Sequence, residues 1–586
     1  MTLGHAVGAT FTLDLESALV APFAAASRVL ADTLHPIAAL EALRSTTDRI
    51  DIFFQNGHLG APTARSGLHA FLEQVLHPVV EPDPGHLFHP KFWLLKFVPA
   101  HDRAAPLVES LFRLVVTSRN ITTDASWDVV VGLDGRVPDR RPQAVNAPIS
   151  RLIRALPTLT QHELTSERVS RLDELAEDVR RVEWDPPAGV DQLAFHVFGI
   201  EGQPVTANFD APRMLVVSPF ATDDGLLFSG GPSLNEQFLV SRQDQIDLLS
   251  EESIEWLDGN VMVIDPLAGL ADDTDSADDS TAPSAGDQLA GLHAKMYIAE
   301  SGRVARVFIG SANATSNAFS GNVEILVELI GSTKNLGIDV ILGTNGMGPI
   351  LLPAGPSGLP VDTEALEDDH RFDAAVRSLA SIDVVAHVMV RDGAHHLELR
   401  STERVVIPEG MTASLELPTA PGQVVPLTDG EPVAAEIGPL LLSDITAWII
   451  LRVKDHRGII RSTTVKTRLV NDPPDRLDAV LASQIDTTEK FLLFLRLLLS
   501  LDSQTWLARS ETGGAPSGPG FFGTAGESGL FETLVRELGQ NLSALDSIGD
   551  LIRRLESAES GVVPAELAAM WPTFQQAMAV LRGSQS

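Results

Sequence analysis

The sequence predicts an α/β protein whose first part is built twice: two halves, each a mixed sheet flanked by helices, followed by a β-sandwich and a helical C-terminal domain. Three observations carry this. Short apolar strands alternate with helical stretches through residues 1–365. One constellation of polar side chains occurs twice there, in the same order. From residue 381 the texture changes to short strands separated by Gly, Pro and Asp, and from Arg476 the chain reads as helical.

Taken in order, residues 10–15 alternate as a strand, 36–43 read as a helix, and 49–54 form a buried strand ending at Gly57. A helix at 68–76 leads to the apolar strand 92–98. Residues 150–182 are helical and charged, which sets the first half at 1–165 and a connector at 166–191. The second half, 192–365, restarts near Phe195. Its buried strand 214–220 reads as the counterpart of 50–55, with a helix at 243–249 and a strand at 260–264 to follow. The acidic, small-residue stretch 271–288 is expected to be a surface loop. The sandwich is expected over 381–474, with strands at 384–390, 396–399, 413–417, 447–453 and 458–466. The helical domain spans 475–586, with helices at 489–501, 531–542 and 548–555 and a flexible Gly/Pro/Ser-rich break at 513–529.

The repeated constellation is His89-Pro90-Lys91, Ser118-Arg119-Asn120 and Trp127-Asp128 in the first half, and His293-Ala294-Lys295, Ser311-Ala312-Asn313 and Asn322-Val323-Glu324 in the second. Within each H-x-K the two side chains are two residues apart on extended chain, so they leave the same face. An imidazole, an ammonium, a hydroxyl, an amide and a carboxylate would then converge on one pocket, which is equipment for handling a phosphate. A lone His-x-Lys on a strand is ordinarily a surface pair, and Ser and Asn alone are ordinary turn residues. Two copies in one order are not expected by chance. His86, three residues before His89, lacks a third ligand for a metal and is read as structural; His395 and His396 are read as an exposed strand edge.

The doubled H-x-K with its downstream S-x-N resembles the phospholipase D, or HKD, superfamily, over residues 1–365. The second copy keeps an acid, Glu300, where the family pattern has Asp; the first has Lys96 there and is more similar to the tyrosyl-DNA phosphodiesterase branch or to bacterial phospholipase D-like nucleases. The resemblance implies two halves facing one active site. His89, Lys91, Asn120, Asp128, His293, Lys295, Asn313 and Glu324 would be catalytic, Ser118 and Ser311 would contact substrate, and no metal or cofactor would be needed. It implies His89 as nucleophile and His293 as acid. It also suggests a nuclease, acting on DNA rather than RNA, in a phage-defence or DNA-processing complex with a helicase or another defence protein.

Composition bounds these expectations. The chain has no cysteine, which excludes disulfides and thiolate zinc sites. Its start lacks the pattern of a secretory leader, and its most apolar run, 491–501, is interrupted by Arg496 and falls far short of the roughly 20 residues a bilayer span needs. A cytoplasmic protein without membrane contact is expected. The net charge of −35 disfavours long-range attraction of a polyanion, so a nuclease reading requires a basic partner or entry of a strand end alone. The alternatives are a cytosolic lipid or small-molecule phosphodiesterase, and an assembly subunit with a vestigial fold.

Overall fold

The computed structural model describes residues 1–18, 46–62, 67–81, 85–99, 110–123, 126–138, 141–200, 207–230, 235–268 and 291–485, and parts of 487–583. The helix expected at 36–43, the acidic stretch 271–288, the break at 513–529 and most of the helices at 489–501 and 531–542 lie outside the described residues.

The first sheet comprises β1 (Thr2–Thr10), β2 (Ile50–Gln55), β3 (Leu76–Val79), β4 (Phe92–Val98), β5 (Leu111–Thr117), β6 (Val130–Arg136) and β7 (Glu183–Trp184), in the order β3-β2-β1-β4-β5-β6-β7. The second comprises β8 (Val190–Phe198), β9 (Arg213–Val217), β10 (Glu236–Val240), β11 (Val261–Ile264), β12 (Met296–Ser301), β13 (Val304–Gly310), β14 (Glu324–Ser332) and β15 (Leu351–Pro353), in the order β15-β11-β10-β9-β12-β13-β14-β8. In each, a parallel set pairs antiparallel with the strand that follows H-x-K: β1 with β4, β9 with β12. The fold is thus mixed α/β, with one strand order used twice.

The strands correct four expectations. The strand 214–220 answers to β1, not to residues 50–55, because β9 and β1 both flank the H-x-K strand; Ile50–Gln55 answers to β10. Both candidates are buried apolar runs, and periodicity alone does not distinguish them. The first strand is Thr2–Thr10 rather than 10–15. It is buried on both faces and so shows no alternation, whereas residues 11–14 form a turn. The stretch 166–191, expected as a connector, supplies β7 to the first sheet, and Leu76 opens a strand instead of ending a helix.

The two sheets share one apolar core, in which Phe92, Leu94, Leu114 and Val116 meet Met296, Ile298, Ile325 and Val327. The helices Ala147–Leu159 and Ser166–Val179 close this core with Leu152, Leu156, Leu172 and Val179. The outer face of the first sheet is covered by C-terminal helical residues, including Val480, Leu551 and Trp571 packed with Ile52 and Phe54. The outer face of the second is covered by its own short helices, through Leu226, Leu257 and Phe319.

Beyond the helix Thr363–Ala380, strands between Val384 and Val470 form two four-stranded sheets that face each other over Leu397, Leu399, Leu415 and Leu451. They are tied to the first half by buried polar contacts. The Glu73 carboxylate accepts from Thr446 Oγ1 and Ala447 N at 2.9 Å each and from Arg476 Nη2 at 2.8 Å. Thr464 N donates to Leu59 O at 2.7 Å.

Close approach between β13 and β14 fixes the turn that carries Ser311. A Cβ on Gly310 would lie 2.1 Å from Ile325 O, a backbone atom that cannot yield. Gly310→Ala is therefore expected to destabilise the protein by about 2 kcal/mol or more. Urea unfolding followed by circular dichroism checks this, with an unchanged midpoint as the contrary result.

Candidate active site

The two H-x-K segments leave their sheets before the ladder begins and cross to the other half. Phe88 forms a parallel bridge with Val323, and Leu292 forms one with Trp127. Their hydrogen bonds match: His89 N donates to Val323 O at 2.9 Å and His293 N to Trp127 O at 2.7 Å, while Val323 N and Trp127 N donate back to Leu87 O and Gly291 O at 2.8 and 3.0 Å. Val323 and Trp127 each precede the acid of their own half. The exchange therefore carries the second half's carboxylate to the first half's imidazole.

His89 Nδ1 lies 2.9 and 3.1 Å from the two Glu324 carboxylate oxygens. Ser311 Oγ donates to Glu324 Oε2, and Ile325 N donates to Ser311 Oγ at 3.0 Å, so the hydroxyl orients the carboxylate. The first half repeats this with Ser118 Oγ donating to Asp128 Oδ1 at 3.2 Å and Val129 N donating to Ser118 Oγ at 2.9 Å. Both serines, expected as substrate contacts, are buried and orient carboxylates instead. Their hydroxyls are already committed to these partners.

Lys91 and Lys295 are buried, and each ammonium donates to the carbonyl of the histidine two residues before it, at 3.1 and 2.8 Å. Lys295 Nζ also donates to Ser118 O at 3.3 Å, and His293 Nδ1 faces the same carbonyl at 3.2 Å. Groups of both halves thus meet at one place. The amides of Asn120 and Asn313 stand on matching turns, held by Thr10 Oγ1 accepting from Ile121 N and Ser218 Oγ accepting from Ala314 N, both at 3.0 Å. Each amide has a buried Oδ1 without a partner among the described residues.

Burial controls the charge states. It pushes His89 down to about 4; Glu324 resists this, and Lys91 and Lys295 reinforce it. The imidazole is therefore neutral near pH 7, with Nδ1–H donated to Glu324 and a lone pair at Nε2. Burial and then the neighbouring Lys295 hold Lys91 well below the usual ammonium range. Lys295 is pushed down to about 7 by burial against the pull of Glu324 and Asp128. Two buried lysines whose charge is opposed by burial, beside a neutral imidazole, make a site that a bound anion restores to full positive charge.

Other residues singled out by the sequence fall elsewhere. Glu300 accepts from Arg213 Nη1 and Ile338 N, both at 2.6 Å, near the far end of β12, so it ties elements together outside the site. Lys96 pairs with Asp178 at 2.7 Å. The His86 ring packs against Gly321 across the seam. His396 is half-buried and lies 3.0 Å from Glu436, where an exposed residue was expected. Some contributors carry no signal in the motifs. Gln55 Oε1 accepts from Phe88 N at 2.7 Å and Asn322 Oδ1 from Leu87 N at 2.9 Å, fixing the approach to His89. Asn322 stands beside the motif and could have been found; Gln55 merely ends a buried strand. Phe11, whose ring centroid is 4.9 Å from that of His89, and His58, 4.0 Å from Phe11, had no motif to mark them.

No family model matches the chain, and no curated protein matches it. Among solved structures it is similar to yeast tyrosyl-DNA phosphodiesterase, at 13% identity and a TM-score of 0.33 over 57% of this chain and 84% of that one. A mutant of the yeast protein gives 12% and 0.34 over the same shares. Phosphatidylserine synthase of Haemophilus influenzae Rd KW20 gives 9% and 0.32 over 64% of this chain and 89% of that one.

Two outcomes follow from the site's electrostatics. Because Lys295 titrates near 7 when folded and near 10.5 as a free side chain, the unfolded chain holds more protons between those values; this group therefore adds stability as pH rises from about 7 towards 10. A bound oxyanion opposes that shift. Tungstate binding, followed by calorimetry, should take up protons near pH 7 and weaken progressively above it, with Lys295→Met reducing this proton uptake; constant affinity from pH 6 to 9 would contradict it. Separately, Glu324→Gln is expected to keep the circular dichroism of the parent chain while lowering any turnover at this site about 100-fold or more, since the imidazole loses its orienting carboxylate. Turnover within a factor of three of the parent chain would remove that role.

Proposed function

We propose that the chain is a phosphodiesterase that works by two displacements at the seam between its halves. The single observation behind this reading is the His89–Glu324 contact across the seam, with Lys91 and Lys295 buried beside it. The neutral Nε2 of His89 attacks phosphorus, the bond to the leaving oxygen breaks, and His293 gives that oxygen a proton. A phosphohistidine and a free alcohol result. His293, now neutral, takes a proton from water; the hydroxide attacks phosphorus and the bond to His89 breaks, releasing a phosphomonoester. Splitting the reaction helps because a diester anion repels an incoming hydroxide, whereas a neutral imidazole meets no such repulsion.

Lys91, Lys295, Asn120 and Asn313 surround the non-bridging oxygens and stabilise the charge that concentrates there in the transition state. Glu324 and Asp128 hold the imidazole and ammonium groups in their working states. The lysines supply the positive charge at phosphorus, so no metal or cofactor enters the scheme. Among the described residues no group of three His, Cys, Asp or Glu is placed to hold a metal ion.

For the substrate we propose a nucleic-acid diester, DNA before RNA, with a basic partner protein such as a helicase in a defence or DNA-processing complex supplying the grip that a chain of charge −35 lacks. That same charge favours a second reading, a small diester recognised by short-range contacts. Among the described residues no helix is long and apolar enough to cross a membrane.

The test uses labelled single- and double-stranded DNA, RNA and a chromogenic diester, with EDTA present. Cleavage of at least one is expected, with a fall of about 1,000-fold or more in both His89→Ala and His293→Ala. Activity that appears only with added magnesium, or that survives either substitution, would overturn the mechanism.

A further inference from the structure

The two motifs account for the floor of the site and leave one wall unexplained. Phe11 lies edge-on to His89, with ring centroids 4.9 Å apart and planes at 61°, and its centroid is 5.8 Å from Lys91 Nζ. Behind it lies His58, at 4.0 Å and 38°. Both rings are only half-buried. We propose that Phe11 and His58 form a stacking subsite for a planar aromatic or heteroaromatic group, such as a nucleobase, carried on the substituent that stays with phosphorus when His89 attacks. This rests on the phosphodiesterase reading and adds a determinant of which diesters are taken.

The internal repeat shows that the fold does not ask for an aromatic residue here. In the first half Thr10 Oγ1 donates to Thr12 O at 2.8 Å and accepts from Ile121 N; in the second Ser218 Oγ donates to Phe220 O at 2.6 Å and accepts from Ala314 N. The two turns are the same, and Pro219 occupies the place of Phe11. Either residue serves the turn, and only one puts a ring against a catalytic imidazole.

His58 suits a stacking role because it is neutral. Burial pushes it down to about 3, and Arg377, His89 and Lys91 add to the effect. It therefore presents an uncharged ring near Lys91 and Arg377, and its Nε2 is buried without a partner among the described residues. The loop beneath is held from behind. Asn56 Nδ2 donates to Ala380 O at 2.9 Å, and Thr464 donates through N to Leu59 O at 2.7 Å and through Oγ1 to Gly60 O at 3.0 Å. A wall fixed in advance loses little freedom when a ligand stacks on it.

Geometry decides which substituent it meets. In-line attack by His89 Nε2 sends the leaving oxygen to the side away from His89, so a ring beside His89 faces the retained group. The overall charge points the same way. A chain at −35 has no long-range attraction for polyanions, and short-range stacking remains as a source of selectivity.

The test compares kcat/KM of the full chain on thymidine 5′-(p-nitrophenyl phosphate) and methyl p-nitrophenyl phosphate, which share a leaving group. The thymidine-to-methyl ratio is expected to fall about tenfold in Phe11→Leu and to return in Phe11→Trp. It should also fall in His58→Ala and hold in His58→Phe. A ratio unmoved in Phe11→Leu, or lowered there without recovery in Phe11→Trp, overturns the subsite. Calorimetric binding of thymidine 5′-phosphate against methyl phosphate reads the same preference in the ground state, without turnover. A Phe11-dependent binding preference supports the subsite, and removes the enzymatic reading only where DNA, RNA and both esters all go uncleaved. Cleavage of both esters at a Phe11-independent ratio removes the subsite alone, and absence of binding and of cleavage of the esters and the polymers removes both.

Discussion

Two lysine side chains buried close together are the constraint around which this molecule is arranged. Each of Lys91 and Lys295 is stripped of water, and Lys295 disfavours the charge on Lys91. Such a pair persists only where opposite charge and carbonyl oxygens are held rigidly around it. Glu324 and Asp128 bring the negative charge, and the backbone oxygens of His89, His293 and Ser118 bring the acceptors. Neither half contains the full set. Ser118, which receives Lys295, lies in the first half, and Glu324, which orients His89, lies in the second.

The reciprocal bridges at Phe88–Val323 and Leu292–Trp127 therefore have a chemical consequence as well as a structural one. They set each H-x-K beside the other half's acid with an accuracy that loops alone would not give. The shared apolar core behind them fixes the angle between the sheets. Covering the outer face of the first sheet with C-terminal helices and anchoring the paired four-stranded sheets through Glu73 extends that rigidity towards the loop carrying His58. Among the described residues the distal parts of the chain bear on the site through packing, and through Arg377 acting on His58.

The doubled constellation was legible in the sequence because its members lie within short stretches and recur in one order. Strands such as Phe92–Val98 and Glu324–Ser332 were legible for a related reason: short, largely apolar runs bounded by turn residues are too short for most helices. What the sequence did not reveal depends on contacts between distant residues. His89 and Glu324 are 235 positions apart, and nothing local says that the acid would cross halves. A hydroxyl in a turn looks available to substrate, whereas burial commits both serines to carboxylates. Glu300 matches a family spacing, yet β12 is long enough to carry it away to Arg213. The strand 214–220 has two possible counterparts in the first half because β1 and β2 are both buried throughout, and only pairing order tells them apart.

The most direct test of the account is to look for the covalent intermediate. A single turnover of a ³²P-labelled p-nitrophenyl diester, whose leaving group needs no proton, is quenched in alkali, where phosphohistidine survives, and the digested chain is mapped by mass spectrometry. The expected result is the phosphoryl group, still carrying its retained ester substituent, on the peptide containing His89, accumulating further in His293→Ala, where water is no longer activated. Product formed with no label on the chain at any time, or label on a residue other than His89, would contradict it.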